Sequence, residues 1–98
     1  MSDQPRLRSQ AMLRIYVARH CAGCATATAL AERVRAMRSG VPVDVVDIDV
    51  EMDIPRHVIG TPMYFWNDRV LFLGNPSEAE LLAEVDRHRG WGEVEHEG

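Results

Sequence analysis

The feature that most constrains this chain is its cysteine pair, Cys21 and Cys24, with Ala22-Gly23 between them. In the loop-entropy model a disulfide closing a four-residue ring adds only about 2 kcal/mol, against about 3 kcal/mol for a fifteen-residue ring. Such a pair is a poor structural crosslink. In a reducing compartment this spacing is more typical of redox catalysis or metal binding, so we expect chemistry at these residues.

The cysteine pair falls where a strand pattern gives way to a helix pattern. The stretch 12–18 is short and rich in β-formers, which predicts a buried strand. From Ala22 apolar residues recur at helical spacing, with charged residues on the other side: Ala27, Leu30, Ala31, Val34 and Met37. The amides at a helix start stabilise a thiolate in its first turn, so we predict that Cys21 attacks. Cys24, one turn on and more covered, resolves the intermediate.

The rest of the chain predicts a mixed sheet closed by a helix. The β-branched stretch 43–50 predicts a second strand, parallel to the first through a right-handed crossover. Pro55 leaves room for at most about one extra helical turn near 51–58. Asn67-Asp68 separates two apolar runs at the spacing of a two-residue β-hairpin. Ser77 and Glu80 form a capping box that starts a final helix, which we predict to end at about His88.

Length predicts a single domain, and the order of its predicted elements makes it α/β. Along the 98 residues that order is β-α-β-β-β-α, which predicts a four-stranded mixed sheet with helices packed on it. We predict a flexible N-terminus at 1–10, the domain at 11–90 and a flexible acidic tail at 91–98. The net charge of -4 argues against nucleic-acid binding, and no apolar run approaches the roughly 18 residues that span a bilayer. Because the start has no signal-peptide pattern, we expect a cytoplasmic location. We also expect a monomer.

The predicted chemistry is thiol-disulfide exchange with a disulfide-containing protein. The Cys21 thiolate attacks the partner, and Cys24 then breaks the mixed disulfide, which transfers two electrons without a cofactor. His20 would add positive charge beside the thiolate when protonated, and Gly23 would let the backbone pass close to a docked partner. We expect no metal ligands, because His57, His88 and His96 have no spacing that builds a metal site with the cysteines. Gly60-Thr61-Pro62, just before an apolar strand, is the second informative segment.

These motifs together resemble the thioredoxin-like superfamily in its small, glutaredoxin-sized form. The match spans Leu13 to about His88 and depends on the cysteine pair after a strand, Thr61-Pro62 before the hairpin, and Gly74 ahead of the last helix. The resemblance implies a cis peptide before Pro62, facing the cysteines, and a Thr61 backbone that pairs with an extended substrate segment. It also implies a flavoprotein reductase or glutathione as the reductant. Ile15 stands where thioredoxins place a buried Asp.

Two other classes of function fit parts of the pattern. Soft-metal carriers also place Cys-x-x-Cys at the head of a helix, and two thiolates would bind Cu(I) or zinc. Those domains end on a strand and lack a Thr-Pro before an apolar hairpin, whereas this chain is predicted to end on a helix. A redox-inactive, thioredoxin-like adaptor would use the same fold for protein binding. The sequence does not name the physiological substrate or the reductase.

Overall fold

The computed structural model describes residues 12–97, with the backbone alone for 90–97. Within that range the chain forms four strands and two helices in the predicted order. The strands are β1 (Leu13–Val17), β2 (Val43–Asp47), β3 (Met63–Trp66) and β4 (Arg69–Leu73). The helices are α1 (Cys24–Met37), between β1 and β2, and α2 (Glu78–Glu97), after β4.

The strands form one mixed sheet in the order β2-β1-β3-β4. β1 and β2 are parallel, with Leu13 opposite Val43, as expected for two strands joined through α1. β3 is antiparallel to β1, and β4 is antiparallel to β3 across the predicted Asn67-Asp68 turn. The chain therefore leaves the central strand β1 at Val17 and enters the cysteine pair beside the start of β3.

Hydrophobic clusters lie on both faces of the sheet. Side chains alternate between the faces of a strand, so Leu13 and Ile15 point to one side and Tyr16 to the other. The larger cluster joins the first side to both helices through residues that include Leu30, Val34, Leu81 and Val85. The smaller cluster contains Tyr16, Met63 and Phe65, with Ile48, Ile54 and Val58 packed against it. Both helices thus cover one face, and the segment 48–58 covers the other.

Polar contacts fix the helices relative to each other. Arg38, the C-cap residue that follows α1, donates two hydrogen bonds to the Asp86 carboxylate on α2, at 2.6 and 2.7 Å. The predicted capping box is confirmed, because the Glu80 N–H donates to Ser77 Oγ at 3.0 Å and the Ser77 N–H donates to Glu80 Oε1 at 2.9 Å. The start of α2, and with it the loop 74–77, is therefore held in place by local bonds.

Two predicted helix boundaries were wrong, and the extra turn allowed near 51–58 is not a helix. There the Val58 N–H donates to Pro55 O in a single turn, because proline disfavours helical geometry in the preceding residue. α1 begins at Cys24 rather than Ala22. α2 continues to Glu97 rather than ending near His88, since a glycine such as Gly90 costs a helix only about 1 kcal/mol.

The structure does not test the flexibility predicted for the two chain termini. The predicted flexible N-terminus, 1–10, lies outside the described residues. The flexibility of 91–98 stays a prediction, although the backbone of 91–97 belongs to α2. No helix within residues 12–97 is long and apolar enough to cross a membrane.

Candidate functional site

The centre of the candidate site is a disulfide between Cys21 and Cys24, whose Cα atoms lie 5.3 Å apart. Cys24 is the first residue of α1, and Gly23 is its N-cap. Cys21 precedes the helix rather than lying in its first turn as predicted. The turn from Cys21 to Cys24 is closed by the Cys24 N–H, which donates to Cys21 O at 3.2 Å. Because the two sulfurs are bonded, Cys21 Sγ nevertheless lies at the start of the helix.

The two cysteines differ in exposure. Cys24 is 6% exposed, and the Ala18 N–H donates to its Sγ at 3.3 Å. Cys21 is half-buried. Cys21 is therefore the more accessible residue of the pair. This difference agrees with the predicted order of attack and resolution, although the two roles stay a prediction.

The loop that contains Thr61 and Pro62, just before β3, lies against the turn from Cys21 to Cys24. We call these two segments the Pro62 loop and the cysteine turn. The Thr61–Pro62 peptide bond is cis, Pro62 is buried and Thr61 is half-buried. A Cβ placed on Gly23 would lie 3.5 Å from Pro62 Cδ, so the ring and the turn are in van der Waals range. The structure thus brings the two predicted segments together. The pairing of the Thr61 backbone with a substrate strand stays a prediction.

The loop after β4 bridges these two segments. The Gly74 N–H donates to Pro62 O at 2.8 Å, and Asn75 Nδ2 donates to Gly23 O at 2.8 Å. Asn75 Oδ1 in turn accepts a hydrogen bond of 2.7 Å from the Tyr64 hydroxyl. A Cβ on Gly23 would lie 2.9 Å from Asn75 Nδ2, so the space beside this glycine is used by the chain itself. The role predicted for Gly23 toward a docked partner stays a prediction.

The charged groups nearest in sequence to Cys21 lie on the solvent side. His20 is exposed, and its predicted effect on the thiolate stays a prediction. The Arg19 N–H donates to Asp49 Oδ2 at 2.6 Å, which brings a carboxylate beside the residue two before Cys21. The Asp49 N–H itself bonds to Asp47 Oδ1 at 2.8 Å. The loop after β2 is therefore tied to the loop that enters the cysteine turn.

Sequence reasoning missed Asn75, Tyr64 and Asp49. Asn75 is 52 residues from Gly23, and Asp49 is 30 residues from Arg19. No spacing rule connects residues so far apart. The one local signal is the tight Gly74-Asn75-Pro76 segment ahead of α2, which marks a loop but not its partners.

The cysteines are also the soft donors that a metal would need. Among the described side chains, no group of three or more His, Cys, Asp or Glu residues is arranged to hold a metal ion. Comparison with models of known protein families found no match, and neither did a search of curated proteins. The small α/β architecture with a disulfide of Cys-x-x-Cys spacing is compatible with a thioredoxin-like protein. The disulfide-bonded cysteine pair is consistent with a redox function.

Proposed function

We propose that this protein is a thioredoxin-like thiol-disulfide oxidoreductase that reduces disulfides in partner proteins through Cys21 and Cys24. One observation supports this above the others. The half-buried Cys21 and the buried Cys24 form a disulfide at the start of α1. This disulfide turn packs against the Pro62 loop, which leads into the β3–β4 hairpin. Such a pair can open and close without unfolding the domain, because it closes only a short turn.

In the proposed cycle the Cys21 thiolate attacks one sulfur of the partner disulfide. A mixed disulfide forms, and the second sulfur of the partner leaves as a thiolate. Cys24 then loses its proton and attacks Cys21 Sγ, which releases the first partner sulfur and re-forms the Cys21–Cys24 disulfide. The partner gains two electrons and two protons. A flavoprotein reductase or glutathione would return two electrons and two protons to the cysteine pair.

The start of α1 supplies the electrostatics that this cycle needs. The amides of the first helical turn carry partial positive charge, which favours the thiolate form of a cysteine beside them. Ile15 is fully buried and cannot accept a proton, unlike the Asp that thioredoxins place at this position. In the proposed cycle the proton of Cys24 therefore passes to the leaving thiolate of the partner.

The partner would dock on the side of the proline loop. We propose that the Thr61 backbone pairs with an extended segment of the partner, with His20 and Gly23 on the other side of the exchanged sulfur. Exposed apolar side chains flank this loop, since Ile59 is 74% and Leu73 is 61% exposed. A reducing role also requires a reducing compartment, so we propose a cytoplasmic protein that acts as a monomer.

The test is the reduction of insulin disulfides by dithiothreitol with the protein as catalyst. Wild type should accelerate precipitation of the insulin chains, whereas Cys21→Ser and Cys24→Ser should not. Once dithiothreitol has been removed, reduced Cys24→Ser should also accumulate a mixed disulfide with insulin through Cys21, visible by mass spectrometry. Ala25→Ser, at an exposed position in the first turn of α1, is the matched control and should keep full activity. A wild-type protein no faster than dithiothreitol alone would refute the proposal.

The same samples separate the two other classes of function. An inert wild type that binds one Cu(I) through both thiolates, with release of protons, would be a soft-metal carrier. An adaptor would show neither exchange nor metal binding, and a Cys21→Ser/Cys24→Ser double variant would bind its partner as wild type does.

A further inference from the structure

We infer that Asn75 is a positioning residue that sets the redox equilibrium of the Cys21–Cys24 pair by holding the peptide between Gly23 and Cys24. This inference rests on the proposed function. Asn75 touches neither sulfur through its hydrogen bonds; it binds the carbonyl between them and the hydroxyl of Tyr64. It therefore acts through the backbone of the cysteine turn.

The orientation of the Asn75 amide is determined by its neighbours. Gly23 O can only accept a hydrogen bond, and Asn75 lies 2.8 Å from it, so the group that faces it must be the NH₂. A flipped amide would place two oxygens in contact. The remaining Oδ1 then accepts from the Tyr64 hydroxyl at 2.7 Å. The donor direction runs from Tyr64 through Asn75 to Gly23.

Tyr64 makes this arrangement stable although Asn75 is exposed. Tyr64 is fully buried, and burial raises the pKa of Tyr64 to about 12. Its hydroxyl is therefore protonated, and able to donate, throughout the range in which thiols ionise. A buried hydroxyl without an acceptor costs about 1 to 3 kcal/mol, which gives Asn75 Oδ1 a reason to stay in place. The exposed amide is thus fixed from the core side.

The peptide that Asn75 holds is the one between Gly23 and Cys24, and its N–H lies inside the cysteine turn. Gly23 O accepts from both Asn75 Nδ2 and the Ala27 N–H, the latter at 3.0 Å. Hydrogen bonds to a carbonyl polarise the N–H at the other end of the same peptide. That N–H belongs to Cys24 and points into the turn, toward Cys21 O. Asn75 thereby increases the partial positive charge at the helix start and favours the Cys21 thiolate of the reduced form.

The experiment measures the equilibrium of the pair in a thiol-disulfide buffer. One protein disulfide and one dithiothreitol, or two glutathiones, exchange two electrons and two protons with the protein, and mass spectrometry after alkylation gives the reduced fraction. Asn75→Ala should lower the equilibrium constant for reduction by about threefold to tenfold, with tenfold equal to about 30 mV. The thiolate fraction of Cys21 at neutral pH, followed by ultraviolet absorbance, should fall in parallel.

Three further variants distinguish positioning from general destabilisation. Tyr64→Phe should shift the equilibrium in the same direction in the wild-type background and leave it unchanged in the Asn75→Ala background, because Tyr64 acts through Asn75. Asn75→Asp keeps an acceptor for Tyr64 but cannot donate to Gly23, so it should also lower the constant. Asn67→Ala is the matched control, since Asn67 accepts from the Met12 N–H at the opposite end of β3 and should leave the equilibrium unchanged.

The outcomes are separable. If wild type exchanges with the buffer but Asn75→Ala and Asn75→Asp keep its equilibrium constant, the inference is wrong and the proposed function stands. Equal shifts in Asn75→Ala and Asn67→Ala would also overturn it, because loss of stability alone would then explain the effect. If wild type takes no electrons from either buffer, the proposed function fails, and this inference fails with it.

Discussion

Replacing Gly23 by alanine tests why the cysteine turn contains a glycine. The backbone of Gly23, with φ −96° and ψ 1°, is accessible to alanine, so conformational freedom does not explain the residue. The added Cβ would lie in ordinary contact with Pro62 Cδ at 3.5 Å, but only 2.9 Å from Asn75 Nδ2. The Asn75 amide can turn its Nδ2 away from Gly23 while Oδ1 keeps its hydrogen bond to the Tyr64 hydroxyl. We therefore expect the variant to fold and to lose the hydrogen bond from Asn75 to Gly23.

The expected cost of Gly23→Ala follows from these contacts. Losing one neutral hydrogen bond costs about 0.5 to 1.5 kcal/mol. Alanine is also a poorer N-cap than glycine, by roughly 0.5 kcal/mol or more, while the reduced freedom of the unfolded chain returns about 0.4 to 1 kcal/mol. These last two terms nearly cancel. The free energy of unfolding of the oxidised protein should therefore fall by about 1 kcal/mol, mostly through the lost hydrogen bond.

Urea denaturation of four proteins provides the assay: wild type, Gly23→Ala, Asn75→Ala and the double variant. In the Asn75→Ala background there is no amide to displace, so Gly23→Ala should change the free energy of unfolding by no more than about 0.5 kcal/mol. The m-value should be the same in all four proteins. An equal loss in both backgrounds would refute the reasoning, because the steric conflict would then lie with something other than Asn75.

Three further predictions concern stability. Ser77→Ala should lower the free energy of unfolding by about 1 kcal/mol in urea, because the Glu80 N–H loses its acceptor; an unchanged midpoint would contradict the capping role. The hydrogen-bonded Arg38 guanidinium lowers the pKa of Asp86, so this stabilisation is present above the ordinary carboxyl pKa and is lost as pH falls below about 4. Asp86→Asn should reduce the loss of unfolding free energy below about pH 4. If the variant loses as much stability there as wild type, the Arg38–Asp86 pair does not cause the loss. Burial raises the pKa of Tyr64 to about 12, so its contribution is complete below about pH 10 and is lost as pH rises toward 12. Tyr64→Phe should reduce that alkaline loss of stability, measured by unfolding between those pH values.

The parts of the fold that the sequence predicted correctly are those set by neighbouring residues. Ser77 and Glu80 lie one turn apart, and Asn67-Asp68 joins two strands directly, so a local pattern contains the whole interaction. The start of α1 was misplaced, although the contact that sets it is also local. Its boundary depends on a backbone bond from Cys24 to Cys21, which takes Ala22 and Gly23 out of the helix, and apolar spacing carries no information on such a turn.

The parts of the site that the sequence did not predict depend on distant contacts. The cysteine pair and the Pro62 loop were predicted as separate segments. That they lie together was predicted only from the resemblance to thioredoxin-like proteins. Asn75 could be paired with Gly23 only once β3 and β4 had placed the loop after β4 beside the cysteine turn. Gly23 shows the same limit. The reason for a glycine here is the space that Asn75 occupies beside it, and not the backbone conformation of Gly23 itself.

The unequal covering of the two sheet faces has a consequence for hydrogen exchange. The segment 48–58, which covers Tyr16 and Phe65, makes mostly local backbone hydrogen bonds, such as those from Val50 and Glu51 to Asp47 O. Regions of this kind open at a lower free energy than the strands and helices beneath them. We therefore expect amide protons of the covering segment to exchange with solvent while those of β1 and β3 stay protected. Each such opening also releases Asp49 from the Arg19 amide, next to the entrance of the cysteine turn.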